Sequence, residues 1–419
     1  MQIRIKTPAV IIKRGGLISL NLICISPNKQ RIVTVKSSKV SPPVPRGILI
    51  NWPTTIDNVT IQNIRFIMKL YSNVTFIFCV WALSILAIFY FGFIQFPHSG
   101  NFSNDFFKSL ANWDGGHFLG IAQYGYTEKF QYAFFPLYPI LIKIVTSLTN
   151  NFLFSAILVS AGSFFLGLHF LYRLILLMFD KKIAERAVVV LVFFPTSFYF
   201  LTAYSEGLFF LLTVLTFSFL IARKYFWASI FAGLAATTRL VGVALIFTLI
   251  FDVWITGISR KNWIVFLSPL GLLIYCLFLK NQVGDPFYFF TAELHWQRSL
   301  SIPGLSIWDS IKSLTSHGFL SIDFNVLLDL LFAIFGLGFG IRSFRFLPTF
   351  LSFFTFIVLI LPLFTTTLSS IPRFILPIFP IYILLAKIKN QRVTFIYQTI
   401  SLMLLSAFAI LFIDGYWVS

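Results

Sequence analysis

FIFCVWALSILAIFYFGF, residues 76–93, decides the fold. The run is apolar from end to end and carries no charged side chain. Its length approaches the roughly 20 residues that carry an α-helix across a bilayer core. Similar runs recur at 152–178, 186–203, 206–222, 226–256, 325–341, 347–366, 373–387 and 394–413. The 419-residue chain is 58% hydrophobic and 11% charged, whereas soluble domains are about a quarter charged. A membrane β-barrel would alternate polar and apolar residues in shorter segments, which this chain does not do. The composition therefore predicts an all-α polytopic membrane protein.

The charge distribution gives an orientation. Residues 1–70 hold 11 Lys or Arg and a single acid, Asp57, so they supply most of the net charge of +18. This reads as the basic flank of a membrane protein rather than a nucleic-acid patch, and no nucleic-acid partner is expected. Residues 1–65 are expected to form a disordered basic cytoplasmic tail, and residues 66–419 the membrane domain. The apolar stretch 16–25 is short and lacks a clean cleavage site, so no signal peptide is expected. Cys24, Cys79 and Cys276 are scattered and make no metal-binding pattern.

Arg65 and Lys69 before the first span place the N-terminus in the cytoplasm. Pro136 and Pro139 make 133–150 a short helix resting in the outer leaflet rather than a crossing. The long run 226–256 is expected to break near 237–242 into two limbs. This split puts Lys181, Lys182, Arg186, Arg223, Lys224, Arg260 and Lys261 on the cytoplasmic side. About eleven crossings result, with the C-terminus outside and re-entrant or juxtamembrane helices on the outer face.

Several polar elements then gather at the outer rim. NWDGGHF, residues 112–118, offers Asp114 on a loop anchored by Trp113 and Phe118, with glycines that allow a tight turn or a close approach. A fixed carboxylate there suits a general base for an alcohol, although capping a short helix would also explain it. His117 could bind phosphate or orient Asp114. One Asp and one His are too few for a metal, and no spacing adds Glu128 or Glu206, so no bound metal is expected. In YSEGLF, residues 204–209, Glu206 opens an apolar helix and needs a partner; Arg239 is one candidate and a sugar hydroxyl another. Arg239 in TTRLVG and Arg373 in SIPRFILPIFP are forks suited to phosphate. A structural salt bridge is the plain alternative for Arg239, and snorkelling to headgroups for Arg373.

Together WDGGHF, AFFPLYP, FFPTSFYF, YSEGLF, TTRLVG and GDPFYFFTAELHWQR resemble the family of the second mannosyltransferase of glycosylphosphatidylinositol anchor synthesis, with its prokaryotic relatives. The resemblance is spread over residues 66–390. It implies a GT-C-type helical bundle. It also implies an inverting hexosyl transfer, of mannose, from a polyprenyl- or dolichyl-phosphate donor to a lipid or glycan acceptor on the extracytoplasmic face. By that resemblance Asp114 matches the family's acidic residue in the first outer loop. Tyr204, Ser205 and Glu206 match an aromatic-Ser-Glu motif. Residues 284–298 match a segment near the acceptor.

The expected roles follow. Asp114 is the base; Arg239, Arg373 and His117 take the donor phosphate; Trp113, Tyr204, Glu206, Glu293, Trp296 and Arg298 meet sugar or acceptor. A bacterial or archaeal cell membrane is favoured over the endoplasmic reticulum. The competing class is a polytopic transporter or lipid flippase, which would carry its ionisable groups along a mid-membrane pathway.

Overall fold

The computed structural model describes residues 58–100, 104–316 and 323–418, with side chains from Asn73 onward, and a small antiparallel pair, Ile25–Ser26 with Lys29–Gln30. Apart from that pair and the first turns of the helix Asn58–Gln95, the expected tail 1–65 lies outside the described residues. That helix runs through the expected domain boundary at 65/66. The architecture below is that of the unit Gln62–Ser419.

The unit is built from helices. Among the described residues five are long and apolar enough to cross a membrane: Asn73–Gln95, Phe152–Met178, Trp263–Val283, Phe324–Phe346 and Gln391–Ile413. Shorter apolar helices, among them Leu137–Thr149, Glu206–Ile221, Tyr225–Ala236 and Thr349–Phe364, complete the bundle. Polar caps set where several long helices begin. Asn151 accepts from the Phe154 amide at 2.9 Å, and Asp323 and Asn390 do the same for helices starting at Phe324 and Gln391. The break expected near 237–242 is present: the helix Tyr225–Ala236 ends, Arg239 is extended, and the chain resumes at Leu240. The outer-leaflet helix expected at 133–150 corresponds to Leu137–Thr149.

Glu206–Ile221 is buried nearly all round, as a helix apolar on every face should be. It packs against Phe152–Met178 and Tyr225–Ala236. Gly207 allows the closest approach, because a Cβ there would collide with the Ser160 carbonyl. Phe164, Phe200 and Phe210 fill the space beside it, with Phe164 stacked on Phe200 at 3.9 Å. The outer helices instead show large apolar side chains such as Phe76, Leu83, Ile274 and Met403 to their surroundings.

The two ends of the bundle differ chemically. Lys387 donates to the Phe346 carbonyl at 2.9 Å and lies 4.3 Å from the Phe179 ring. The ends of three helices, with Arg342, Arg345, Lys181 and Lys389 near them in sequence, therefore meet at one end. Glu206 and Arg373 stand at the other ends of the helical segments that lead there.

Candidate active site

Asp114 is the first residue of the helix Asp114–Tyr124. Trp113 before it has a φ of 57°, a left-handed value costly for a residue with a Cβ. Asn112 holds this kink in place. It is buried, its amide donates to the Phe412 and Ile413 carbonyls at 2.9 and 3.3 Å, and its carbonyl accepts from the Tyr204 hydroxyl at 2.9 Å. A Cβ on Gly115 would press on the Ala111 methyl at 3.2 Å and make ordinary contact with the Ala203 carbonyl oxygen and the Tyr204 ring, so the helix start packs closely on that side. Gly116, by contrast, faces outward.

Arg373 is positioned with equal care. Ser370, with a φ of 71°, turns the chain into the short helix Ile371–Ile375. The Ile371 amide donates to Asp329 at 3.2 Å, and Thr196 donates to the Pro372 carbonyl at 3.1 Å. The guanidinium rests over the rings of Tyr199 and Tyr204 at 4.9 and 4.8 Å.

These elements bring four of the expected residues into one ion network. Arg373 donates from one terminal nitrogen to Asp114 Oδ2 at 2.8 Å and, with its Nε, to Glu206 Oε1 at 3.0 and 3.1 Å. Arg239 pairs with the same Glu206 oxygen at 2.5 Å. Glu206 is fully buried and Arg373 is 6% exposed, whereas the Asp114 side chain is 20% exposed. Asp114 Oδ1 has no hydrogen-bond partner among the described residues. The network thus has a closed floor, Glu206 with Arg373, and an open lip, Asp114.

Two expectations differ from this geometry. Tyr204 and Glu206, expected to meet sugar or acceptor, lie beneath Arg373. The tyrosine hydroxyl is taken by Asn112, and the carboxylate serves two arginines. Arg373, expected to take a phosphate, is enclosed by two carboxylates, so the geometry assigns it to holding Asp114. Arg239 keeps more freedom, with 14% of its side chain exposed.

The segment 284–298 closes over the same end. It is pinned to 365–369 by paired hydrogen bonds: Ser299 N to Thr366 Oγ1 at 3.1 Å, Thr366 N to the Ser299 carbonyl at 3.0 Å, and Arg298 to the Ser369 carbonyl at 2.6 Å. Gln297, before Arg298, is left-handed at a φ of 56°. Glu293 stands 3.8 Å from Arg298. Trp296 is half exposed and presents its edge to Phe130, Phe134 and His117. Trp113 packs on Trp417 at 5.0 Å.

His117 sits among Phe130, Phe134 and Trp296. Burial lowers its pKa below 6.5; Asp114 pulls the other way and His295 adds to the lowering. The His117 ring is packed among aromatic side chains rather than against the arginines of the network. Glu128, considered as an extra metal ligand, instead completes a capping box with Gln131. Among the described residues, no three His, Cys, Asp or Glu side chains gather as a metal-holding group.

The sequence reading passed over Asn112, Tyr199, Thr196, Asp329 and Phe374. Asn112, Thr196, Tyr199 and Phe374 lie inside the motifs singled out, but nothing in those motifs tells which backbone group or side chain each one meets. Asp329 carried the same signal as Glu206, one acid inside the apolar helix Phe324–Phe346.

Residues 94–261 match the family model for mannosyltransferase (PIG-V). The protein GPI mannosyltransferase pigv-1 of Caenorhabditis elegans is 31% identical over 147 residues, 30% of this chain and 22% of that protein. GPI mannosyltransferase 2 of Drosophila pseudoobscura pseudoobscura is 32% identical over 113 residues, 24% of this chain and 25% of that protein. GPI alpha-1,6-mannosyltransferase 2 of Homo sapiens is 32% identical over 119 residues, 25% of this chain and 23% of that protein. The chain thus matches a quarter or less of the length of these curated relatives. Among solved structures, the oligosaccharyltransferase of Archaeoglobus fulgidus with zinc and sulfate aligns at 14% identity and a TM-score of 0.43. That alignment covers 81% of this chain and 53% of that one. The family resemblance read from the sequence is borne out over 94–261, which holds Asp114, Glu206 and Arg239; Arg298 and Arg373 lie beyond it.

Proposed function

We propose that this chain, whose residues 94–261 match the mannosyltransferase family model, is a membrane hexosyltransferase with a GT-C-type bundle of about eleven crossings. It moves mannose from a polyprenyl- or dolichyl-phosphate to a hydroxyl of a lipid or glycan acceptor, at the extracytoplasmic end and with inversion. The N-terminus and the tail 1–65 are cytoplasmic in this reading. A bacterial or archaeal cell membrane is part of it, although the three relatives named above come from eukaryotes and weigh against that setting.

One observation carries the proposal: a half-open carboxylate is held through one oxygen by a buried arginine while its other oxygen is uncommitted. Asp114 Oδ1 accepts the proton of the acceptor hydroxyl. The acceptor oxygen forms a bond to the anomeric carbon from the face opposite the phosphate. The bond from that carbon to the phosphate oxygen breaks, and its electron pair leaves with the phosphate. Arg239, which shares Glu206 with Arg373 and is partly open, meets the charge that grows on the leaving group. Fixed donors of this kind contribute a few kcal/mol each. Arg373 keeps Asp114 aimed. The linked acids and arginines of this network gather at one end of the bundle rather than along a path through it, which favours an enzyme over a transporter or flippase.

The test uses purified protein, a polyprenyl-phosphate mannose and cell lipids, with mass analysis of the product. Asp114→Asn should insert and elute as the unchanged protein does, yet transfer nothing. Transfer at the unchanged rate would remove Asp114 as the base.

A further inference from the structure

Three acids, Asp114, Glu206 and Glu293, and three arginines meet at this end of the bundle, with a fourth acid, Asp329, engaged behind them at the Ile371 amide, and the six are not equally engaged. Asp114, Arg373, Glu206 and Arg239 form a chain of direct contacts in that order. Arg298 stands apart. Its nearest carboxylate, Glu293, is 3.8 Å away, too far for a hydrogen bond. Its Nε is buried with no hydrogen-bond partner among the described residues, and its hydrogen bond is to the Ser369 carbonyl. The guanidiniums of Arg298 and Arg239 rest against one ring, Phe374, at 5.5 and 5.6 Å. Glu293 feels both arginines and Asp114, and a third of its side chain is exposed. A loosely held carboxylate therefore stands before two partly open guanidiniums that share one aromatic wall.

We propose that Glu293 is a built-in substitute for a phosphate ester, holding the place beside Arg298 and Arg239 that the phosphate takes when the site is loaded, and that it must withdraw or become neutral for binding. This rests on the phosphate-linked donor of the functional reading. The physical reason is charge balance. With Glu293 ionised the six groups are neutral as a set, so a further anion would be unpaired in a poorly hydrated site. Once Glu293 is neutral or turned outward, a positive charge is uncovered, and Arg298 offers a planar fork that matches phosphate geometry. Burial and the nearby Asp114 push the Glu293 carboxyl above its ordinary range, while Arg298 and Arg239 oppose them. Protonation therefore comes at milder acidity than for a free glutamate. In this role Arg298 and Arg239 bind the phosphate, and Arg373 stays with the base.

The experiment measures binding of a polyprenyl-phosphate hexose to the full chain in nanodiscs, without acceptor, between about pH 5.5 and 7.5. A phosphodiester keeps one negative charge over that range, so a change in affinity belongs to the protein. Unchanged protein should bind more tightly as pH falls. Glu293→Gln should bind more tightly at the upper pH and lose the pH dependence. Arg298→Gln should weaken binding about tenfold or more, the loss expected for a charge-assisted hydrogen bond. Should that variant not fold, Arg298→Lys, which keeps the charge and loses the fork, should weaken binding severalfold. Inorganic phosphate as competitor tells the two sources apart: displacement assigns the site to phosphate itself, and Arg298-dependent binding without displacement assigns it to the lipid-linked group. Unchanged affinity in Arg298→Gln, or no gain in Glu293→Gln, overturns the proposal. If the protein transfers sugar while both variants bind normally, this inference falls and the functional reading stands. If no sugar is transferred yet phosphate binds in an Arg298-dependent way, the reverse holds.

Discussion

Replacing Glu206 with Gln changes almost nothing in shape and removes the charge on which two arginines converge. Glu206 is fully buried, and its Oε1 serves both Arg239 and Arg373. Removing one partner of a buried ion pair costs about 3–5 kcal/mol, because the other charge remains without compensation. Arg373 would still hold Asp114 at 2.8 Å. The loss therefore falls chiefly on Arg239, 14% exposed and left with no carboxylate in contact. The expected destabilisation lies at the lower end, about 3 kcal/mol. The assay is reversible unfolding in mixed detergent of Glu206→Gln, Arg239→Gln and the double variant. The double variant should be more stable than the summed single losses predict, since it leaves no lone charge on that arm. A Glu206→Gln protein within about 0.5 kcal/mol of the unchanged one, or strict additivity in the double variant, would refute the ion network as described.

Other outcomes follow from the same geometry. Gly207→Ala places a methyl against the Ser160 carbonyl and should cost about 1–3 kcal/mol by overpacking, read as a lower midpoint of thermal unfolding. Asn112→Ala removes the side-chain anchors to the Phe412 and Ile413 carbonyls and leaves in place the backbone carbonyl that accepts from Tyr204. It should cost about 1–3 kcal/mol and slow transfer through a misplaced Asp114. His117 has a pKa below 6.5 in the folded protein, so the unfolded chain binds its proton more readily. Stability should be full above pH 6.5 and fall as the pH drops below it. His117→Gln should flatten that part of the pH profile, and an unchanged slope would remove His117 as its source.

The membrane class, the helix break and the involvement of Asp114, Glu206, Arg239 and Arg373 were legible in the order of residues. Each rests on a local rule: an apolar run of spanning length, glycines and threonines interrupting a run, a charge too costly to leave alone in apolar surroundings. Which charges meet is a different matter. Arg373 and Asp114 are distant in the chain and touch only because Ser370 and Trp113 bend the backbone into left-handed conformations and Asn112, Thr196 and Asp329 lock those bends. None of these supports reveals its partner in the sequence, since each is a single polar residue whose partner is a backbone group elsewhere.

Residue order alone therefore determined that this chain is a helical membrane protein and which rare charges it cannot leave unpaired, because hydrocarbon penalises polar groups wherever they lie. Only the tertiary structure decided that Arg373 steadies the candidate base while Arg239 and Arg298 stay partly open. That division depends on distances of about one hydrogen bond between distant segments, which helix packing sets and local sequence does not.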